Sequence, residues 1–484
     1  MKKVRTVAFH NLGCKVNAYE MEVMQQKFTE SGYEVVPFDS VADVYVINTC
    51  TVTAIADHKS RQMLHRAKKR NPESVVIAAG CYVQTDTEGA LKDDAVDIII
   101  GNNHKSEIVE LLERYIDDKL SALSDLTHAV PYEDCGISYS EERTRVDIKI
   151  QDGCDQFCSY CIIPYARGRV RSRSLKSVTD EVRRLADKGF KEVVLTGIHL
   201  SSYGIDLDQA FVDDRVHLPA SDTVSDGTRL NSQGSYVSYN RLSSSGEYTN
   251  RALMDVIEAV SAVDGISRVR LGSLEPRVIT REFLKFISSN DTVCPHFHLS
   301  LQSGCDATLK RMNRRYTTDE YYEKVELIRE YYDMPAITTD IITGFPGETD
   351  EEFAQTVEFV KKVKFYETHV FKYSKRKGTV ASTLPGQNTE AVKAARSDVL
   401  LDICARKREE FIRAHIGREC EILIEEEKIL AGRPVFIGHT RDYIPAAVDA
   451  AVFDGELCKP KSGDIISLIG REPYEGRELL CDRS

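Results

Sequence analysis

The stretch IKIQDGCDQFCSYCIIPYARG, residues 148–168, packs Cys154, Cys158 and Cys161 into eight residues as C-x3-C-x2-C. Thiolates this dense ask for a metal. Structural zinc sites favour paired C-x2-C knuckles with a second pair or histidines at a distance, and no second pair follows here. Iron–sulfur cubanes are held by closely spaced thiolates in a loop, and three protein ligands leave one iron uncovered. An uncovered iron is a coordination site for a substrate or cofactor. A zinc or plain electron-transfer site is the alternative. The run RVDIKIQ ahead of the cluster reads as a strand, so the cysteines sit on the loop at its C-terminal end.

Working outward, residues 145–385 offer six strand candidates: RVDIKIQ, KEVVLTGI, ISRVRLGS, HFHLSLQS, AITTDIITG and ETHVFKYS. A helical pattern follows each of the first five, late in the second unit. Right-handed βα repetition of this number builds about three quarters of an eight-unit barrel, with its functional loops at the strand C-termini. The late helix is explained by residues about 205–250, rich in Ser, Asp, Gly and Asn. Such a segment is a lid or a flexible insertion, and flexible insertion is the expectation.

Residues 1–125 alternate short apolar strands (VRTVAFH, ADVYVIN, SVVIAAG, VDIIIG) with amphipathic stretches, which means a parallel sheet covered by helices. Cys14, Cys50 and Cys81 each fall just after a strand. Strand C-termini of an open parallel sheet share one edge, so cysteines roughly 30 residues apart in sequence meet in space. Their alternative use is as small buried hydrophobes. A polar linker (126–144) joins the two regions. A connecting helix (386–416) presents Val399, Leu400, Ile403 and Phe411 for docking, and residues 417–484 hold four strand-like runs expected to form a small β-barrel. The fold class is α/β with this β-barrel appended.

At 484 residues the chain exceeds one ordinary core. Its 42% hydrophobic and 29% charged residues match a globular protein. No apolar run is long enough for a membrane span, and His10 and Asn11 break the N-terminal apolar piece too early for a signal peptide. A cytoplasmic protein is expected. Thirteen cysteines, an odd number, then favour metal or redox chemistry over a disulfide framework. The seven outside the two sets, Cys135 and Cys305 among them, are taken as structural. The net charge of −12 hides two segments without acids: residues 59–70 carry six Lys and Arg, and residues 167–176 carry five. These are the expected contacts to nucleic-acid phosphates, with a solvated basic face as the alternative. Four phosphate contacts would give a slope of log affinity against log salt of roughly −3 to −4.

C-x3-C-x2-C on the loop after the first strand of a partial barrel resembles the radical S-adenosylmethionine superfamily. There the methionine amino and carboxylate groups chelate the free iron, and reductive cleavage gives a 5′-deoxyadenosyl radical. With HNLGCKVNAYE, VINTCTVTAIADHKSRQ and AAGCYVQ included, the chain resembles the methylthiotransferases within it. That resemblance implies an N-terminal domain with a second [4Fe-4S] cluster on Cys14, Cys50 and Cys81, a radical domain, and a C-terminal RNA-binding TRAM barrel. It implies two [4Fe-4S] clusters and S-adenosylmethionine as cofactors, with Cys154, Cys158 and Cys161 catalytic. It also implies cofactor contacts from Gly197, Glu275, Gln302, Asp340, Gly344 and Gly347, although a Gly-Phe-Pro-Gly turn also serves plain turn chemistry. Phe157 and Tyr160 would shield the cluster.

LGCKVNAYE most resembles the branch acting on N6-threonylcarbamoyladenosine at tRNA position 37, giving the 2-methylthio derivative. Partners implied are the tRNA anticodon stem-loop and a low-potential electron donor such as a flavodoxin-type protein; the sulfur donor is not implied. The alternatives are methylthiolation of isopentenyladenosine-37 or of a ribosomal-protein aspartate, or a non-catalytic iron–sulfur RNA-binding protein. Residues 417–484 depart from an RNA-binding barrel in carrying nine basic and fourteen acidic residues. Shape, Arg441 and Tyr443 are therefore expected to matter more than charge there.

Overall fold

The computed structural model describes residues 5–118, 132–134, 136, 144–207, 241–242, 248–430, 432–454 and 459–483. Most of the linker 126–144, Cys135, Cys458 and most of the insertion lie outside the described residues.

Near the N-terminus, β1 (Thr6–Asn11), β2 (Glu34–Val36), β3 (Val44–Thr49), β4 (Val75–Gly80) and β5 (Ile98–Ile100) form a parallel sheet in the order β2-β1-β3-β4-β5. Both faces are buried, and period-2 alternation divides the residues between them. Val46, Ile77 and Ile98 meet Met24 and Phe28 of helix Lys15–Glu30, while Tyr45, Ile47, Val76 and Ile99 join Leu64 and Ala67 of helix Ala54–Arg70. The chain order reverses between β1 and β3, the switch point where ligands collect in such sheets. Strand β2 was not expected; it is a three-residue, mostly exposed edge, too short for a periodic signal.

The central region holds β6 (Arg145–Asp152), β7 (Arg171–Ser172), β8 (Glu192–Gly197), β9 (Arg268–Leu271), β10 (His296–His298), β11 (Ala336–Thr343) and β12 (Glu367–Lys372). Two sheets, β9-β8-β6-β7 and β10-β11-β12, are joined by the single parallel pairs Val269–Val293 and Leu274–Leu299. Apart from the antiparallel β7, the strands are the six expected parallel strands of a partial barrel, β9 and β10 being shorter than expected. Ile148, Leu195, Val269, Phe297, Ile337 and Ile341 face the surrounding helices in one large core. The alternate residues face the lumen, and most are polar: Asp147, Lys149, Glu192, Arg268, Arg270, His296, His298, Thr338, Asp340 and His369.

The C-terminal strands β13 (Glu419–Leu430), β14 (Arg433–Thr440), β15 (Pro445–Asp449), β16 (Ile465–Tyr474) and β17 (Glu478–Asp482) close a barrel in the order β13-β14-β15-β17-β16. The fifth strand, β17, was missed because only Leu479 and Cys481 point inward along its short length. Arg441 and Tyr443, expected to matter for RNA, make contacts within the protein. Arg441 donates to the carbonyls of Asp291 and Val293. The Tyr443 ring lies 4.5 Å from the Arg270 guanidinium and 4.9 Å from that of Arg145. Together with Arg268, which donates to the Glu421 carboxylate at 2.9 Å, they dock this barrel onto the N-terminal end of the central one. Helix Glu390–Arg413 buries Leu400 and Ile403 in the central core and sets Phe411 against the C-terminal core, but Val399 is exposed, contrary to expectation.

Candidate cluster and cofactor site

Strand β6 ends at Asp152, and Gly153 turns the chain at φ +71°; a Cβ there would lie 1.9 Å from the Arg169 carbonyl oxygen. Only glycine fits. The Cys154 N–H donates to Gly168 O at 3.1 Å and the Cys161 N–H to Cys158 O at 3.0 Å. Phe157 adopts a left-handed φ of +48°, and its carbonyl accepts from Asn313 Nδ2 at 3.0 Å. Ser159 donates through Oγ to Arg311 O at 2.8 Å and through N–H to Met312 O at 3.0 Å. The loop is thus clamped by distant segments. Tyr160 packs edge-on to Phe345, and Arg314 Nη1 donates to Cys158 Sγ at 3.3 Å. Burial pushes the Cys161 thiol up to about 12 and raises Cys154 as well. Free thiolates are disfavoured here unless a cation joins them.

Cys14, Cys50 and Cys81 gather at the switch-point edge. Gly13, at φ +118°, is pressed so near Cys50 that an added Cβ would lie 3.1 Å from its sulfur. Asn17 Nδ2 donates to Leu12 O at 2.6 Å and Thr49 O at 3.1 Å, tying the ends of β1 and β3 together. Cys81 opens helix Cys81–Thr85, and its sulfur accepts from Asn102 Nδ2 at 3.4 Å. Burial raises Cys14 and pushes Cys50 up to about 11. Among the described residues, the group whose ligand atoms all lie within 4.8 Å of one another is His298, Asp340 and His369.

A buried ion network connects the two cysteine sets. Arg167 donates to Glu20 Oε1 at 2.8 Å, Asp152 Oδ1 at 3.1 Å and Asn17 Oδ1 at 2.5 Å. Lys149 reaches Glu20 and Asp152, each at 2.7 Å; Lys105 pairs with Glu20, and Arg171 lies 3.2 Å from Asp152. Burial raises the carboxyls of Glu20 and Asp152, but the surrounding cations outweigh it and hold both below the ordinary range. Four cations share two carboxylates among the described side chains. Such an excess is costly in a protein interior without a nearby anion. An anionic iron–sulfur cluster, were it held by the thiolates of Cys14, Cys50 and Cys81, would offset it.

This network corrects one expectation. Arg167, Arg171 and Arg173 are not RNA contacts: all three are buried, the last pairing with Glu181 and Asp134. Of that segment only Arg169 and Lys176 reach the surface.

The expected cofactor contacts divide into two groups. Around the cysteine loop, Gly197 leaves room for Gln151, whose amide donates to Asp152 O and Gly153 O at 2.9 and 2.8 Å. Glu275 is gripped by Arg277 at 2.8 and 3.1 Å, with His199 Nε2 3.7 Å away; burial raises its carboxyl, but these partners hold it below the ordinary range. Gln302 is held left-handed at φ +72° between the Asp340 carbonyl and the Ile342 N–H. That strain is imposed by backbone pairing on both sides. Asp340 Oδ2 lies 3.4 Å from His298 Nε2. Gly344 and Gly347 differ: a Cβ at Gly344 would strike Lys393 at 2.4 Å, and one at Gly347 would meet Arg311 at 3.4 Å. Both glycines have a positive φ, +69° and +76°, which a side chain rarely adopts, and at Gly344 close packing against Lys393 adds to that demand.

The radical SAM superfamily model matches residues 148–360, and the model for the uncharacterized protein family UPF0004 matches residues 6–101. The threonylcarbamoyladenosine tRNA methylthiotransferase MtaB of Aquifex aeolicus is 38% identical over 426 residues, covering 88% of this chain and 94% of that one. The chain belongs to the radical SAM methylthiotransferase family. This methylthiotransferase is also 37% identical to MtaB of Bacillus subtilis, over 91% of this chain and 89% of that one. It is 32% identical to the tRNA-2-methylthio-N(6)-dimethylallyladenosine synthase of Pelotomaculum thermopropionicum, over 88% of each. Among solved structures, the radical S-adenosylmethionine methyltransferase TsrM from Kitasatospora setae has a similar fold, with a TM-score of 0.51 at 15% identity over 78% of this chain and 77% of that one. As a radical SAM methylthiotransferase, the protein is a transferase whose cofactors are [4Fe-4S] clusters and S-adenosylmethionine.

Sequence reasoning missed Arg314 beside Cys158, Asn102 beside Cys81, and the Glu20–Arg167–Asp152 bridge. None stands next to a cysteine in sequence. It also missed His298 and His369; their alternation with apolar residues in HFHLSLQ and ETHVFKYS placed them on the lumen face with Asp340.

Proposed function

We propose that this protein methylthiolates N6-threonylcarbamoyladenosine at position 37 of tRNA to the 2-methylthio derivative. The observation that carries the reading is two cysteine sets, each at the C-terminal edge of a parallel sheet, joined by one buried ion network. Cys154, Cys158 and Cys161 would hold the radical cluster and Cys14, Cys50 and Cys81 the auxiliary one. When bound, S-adenosylmethionine supplies a methyl group in one half-reaction and, at the reduced radical cluster, a radical able to remove the adenosine C2 hydrogen in the other. The chain's residues position these groups. Glu275, Gln302 and Asp340 would bind the polar parts of the cofactor, and Gln151 with Gly197 would hold the loop against it. Arg314 fixes the Cys158 sulfur, and Arg167 would neutralise the auxiliary site.

Exposed Lys59, Arg61 and Lys69, with Arg169, would meet tRNA phosphates, and exposed Tyr165 offers a ring for base stacking. A flavodoxin-type protein would deliver electrons, and the reaction would run in the cytoplasm. No helix among the described residues is long and apolar enough to cross a membrane.

The deciding experiment is mass spectrometry of tRNA nucleosides from cells with and without the gene. The 2-methylthio derivative of threonylcarbamoyladenosine should vanish on deletion. Loss of the isopentenyl derivative instead would reassign the substrate. Failure of the anaerobically reconstituted, reduced protein to form 5′-deoxyadenosine from S-adenosylmethionine would leave only a binding role.

A further inference from the structure

The two cysteine sets stand on separate sheets, so their spacing depends on what joins the N-terminal domain to the central barrel. The ion network around Arg167 holds helix Lys15–Glu30, and Asn102, beside Cys81, donates to Ala166 O at 2.7 Å. The Cys50 loop is held separately. Among the described residues, the hydrogen bonds and ion pairs from residues 50–57 to the barrel run to the segment after β12, through Ser374 and Arg376. Ser374 Oγ accepts from the Ala54 N–H at 3.0 Å. Buried Arg376 donates through Nη2 to Thr51 Oγ1, and its Nη1 lies 2.5 Å from Asp57 Oδ2. Thr51 follows Cys50, and its hydroxyl lies 3.1 Å from that of Thr85, which donates to the Cys81 carbonyl at 3.1 Å. One guanidinium thus bears on the backbone at both Cys50 and Cys81.

The same segment grips the other cysteine loop. Thr379 donates through N–H and Oγ1 to Arg376 O at 3.2 and 2.8 Å, Gly378 turns the chain at φ +88° beside Ile162, and the Ala381 N–H donates to Ser159 O at 2.7 Å. Ser159 stands between Cys158 and Cys161, and Ile162 follows them. Residues 374–381 are therefore a short hydrogen-bonded strut with one end on each set.

We infer that Arg376 is a positioning residue that fixes the separation of the two cysteine sets. The role rests on the proposed reading of both sets as cluster ligands. Arg376 acts through Thr51 and Asp57, and a planar guanidinium that engages a hydroxyl and a carboxylate together defines an orientation that a single ammonium does not. Methylthiolation needs the substrate carbon to meet sulfur held at the other set, and a misplacement of about 1 Å between reacting groups costs roughly a hundredfold in rate. Cleavage of S-adenosylmethionine needs only the Cys154, Cys158 and Cys161 set, so it should not depend on Arg376.

The test uses the full chain with both clusters reconstituted and an anticodon stem-loop carrying threonylcarbamoyladenosine at position 37. Two quantities are read: the ratio of methylthiolated stem-loop to 5′-deoxyadenosine, and the spin–spin interaction between the two reduced clusters in electron paramagnetic resonance, which falls steeply with their separation. Arg376→Gln should keep its iron and form 5′-deoxyadenosine at the wild-type rate, yet lower the product ratio at least about tenfold and alter the spin–spin interaction. Arg376→Lys should recover part of both. Asp57→Asn, a milder break in the same contact, should move both in the same direction by less, and it decides the matter if Arg376→Gln loses iron. A wild-type spin–spin interaction in the iron-replete variant overturns the inference, and so does an equal fall in 5′-deoxyadenosine and methylthio product. Failure of the proposed function looks different: the wild-type protein would then form no methylthio product on this stem-loop, while the spin–spin comparison would still read the separation.

Discussion

Gly153 and Arg167 act on the site through opposite means, one by the absence of a side chain and the other by charge. Gly153→Ala must move the Arg169 carbonyl, and with it the loop carrying Cys154. We expect iron content to fall from roughly eight to roughly four atoms per chain, with the auxiliary cluster retained; iron analysis of the reconstituted variant checks this. Arg167→Gln removes one of the two cations shared by Glu20 and Asp152, leaving Lys149. Breaking such a buried network costs about 3–5 kcal/mol. It also takes positive charge from beside Cys14 and Cys81, so the auxiliary cluster should become harder to reduce while the radical cluster is unmoved. Redox titration followed by electron paramagnetic resonance would separate the two, and an unchanged auxiliary potential would refute the charge-matching role of Arg167.

Between elements, the sensitive contact is the seat of the C-terminal barrel on β8 and β9. Tyr443→Ala removes a ring packed against the guanidinium groups of Arg145 and Arg270 and should cost roughly 2–3 kcal/mol in denaturant unfolding. Because the ring belongs to the interface, the salt dependence of tRNA binding should not change. Glu192 adds a pH dependence. Burial raises its carboxyl, but Arg270 and Arg268 outweigh that and hold it below the ordinary range. A depressed carboxyl contributes stability above its unfolded value, about 4.3, and that contribution is lost as pH falls through the lower folded value. Amide protection in β13 and β14, taken relative to the intrinsic exchange rate at each pH, should therefore fall as pH drops below about 4.3, and Glu192→Gln should show weaker protection without that step.

For the whole molecule, the overall charge of −12 coexists with a basic face on helix Ala54–Arg70. Arg66 and Arg70 pair with Asp39 and Lys68 with Asp97, which leaves Lys59, Arg61 and Lys69 on the helix for phosphate, with Arg169, exposed although 3.5 Å from Asp155, as the fourth contact. Four contacts give a log–log salt slope of roughly −3 to −4, and changing the three helix residues to Gln should reduce its magnitude by about 2 to 3. An unchanged slope would place the RNA elsewhere.

Strand spacing alone determined that Cys14, Cys50 and Cys81 would share an edge and that Cys154, Cys158 and Cys161 would occupy a strand-end loop, because side-chain alternation and βα chirality are local rules. The six-strand barrel was legible for the same reason. The fate of each charge was not. RGRVRSR looks the same in sequence whether its arginines face solvent or carboxylates, and only tertiary packing brought Glu20 and Asp152 to Arg167, and Arg270 to Tyr443. Glu20 lies 147 residues from Arg167, and the sign in energy of any such pair depends on burial, which no local pattern carries.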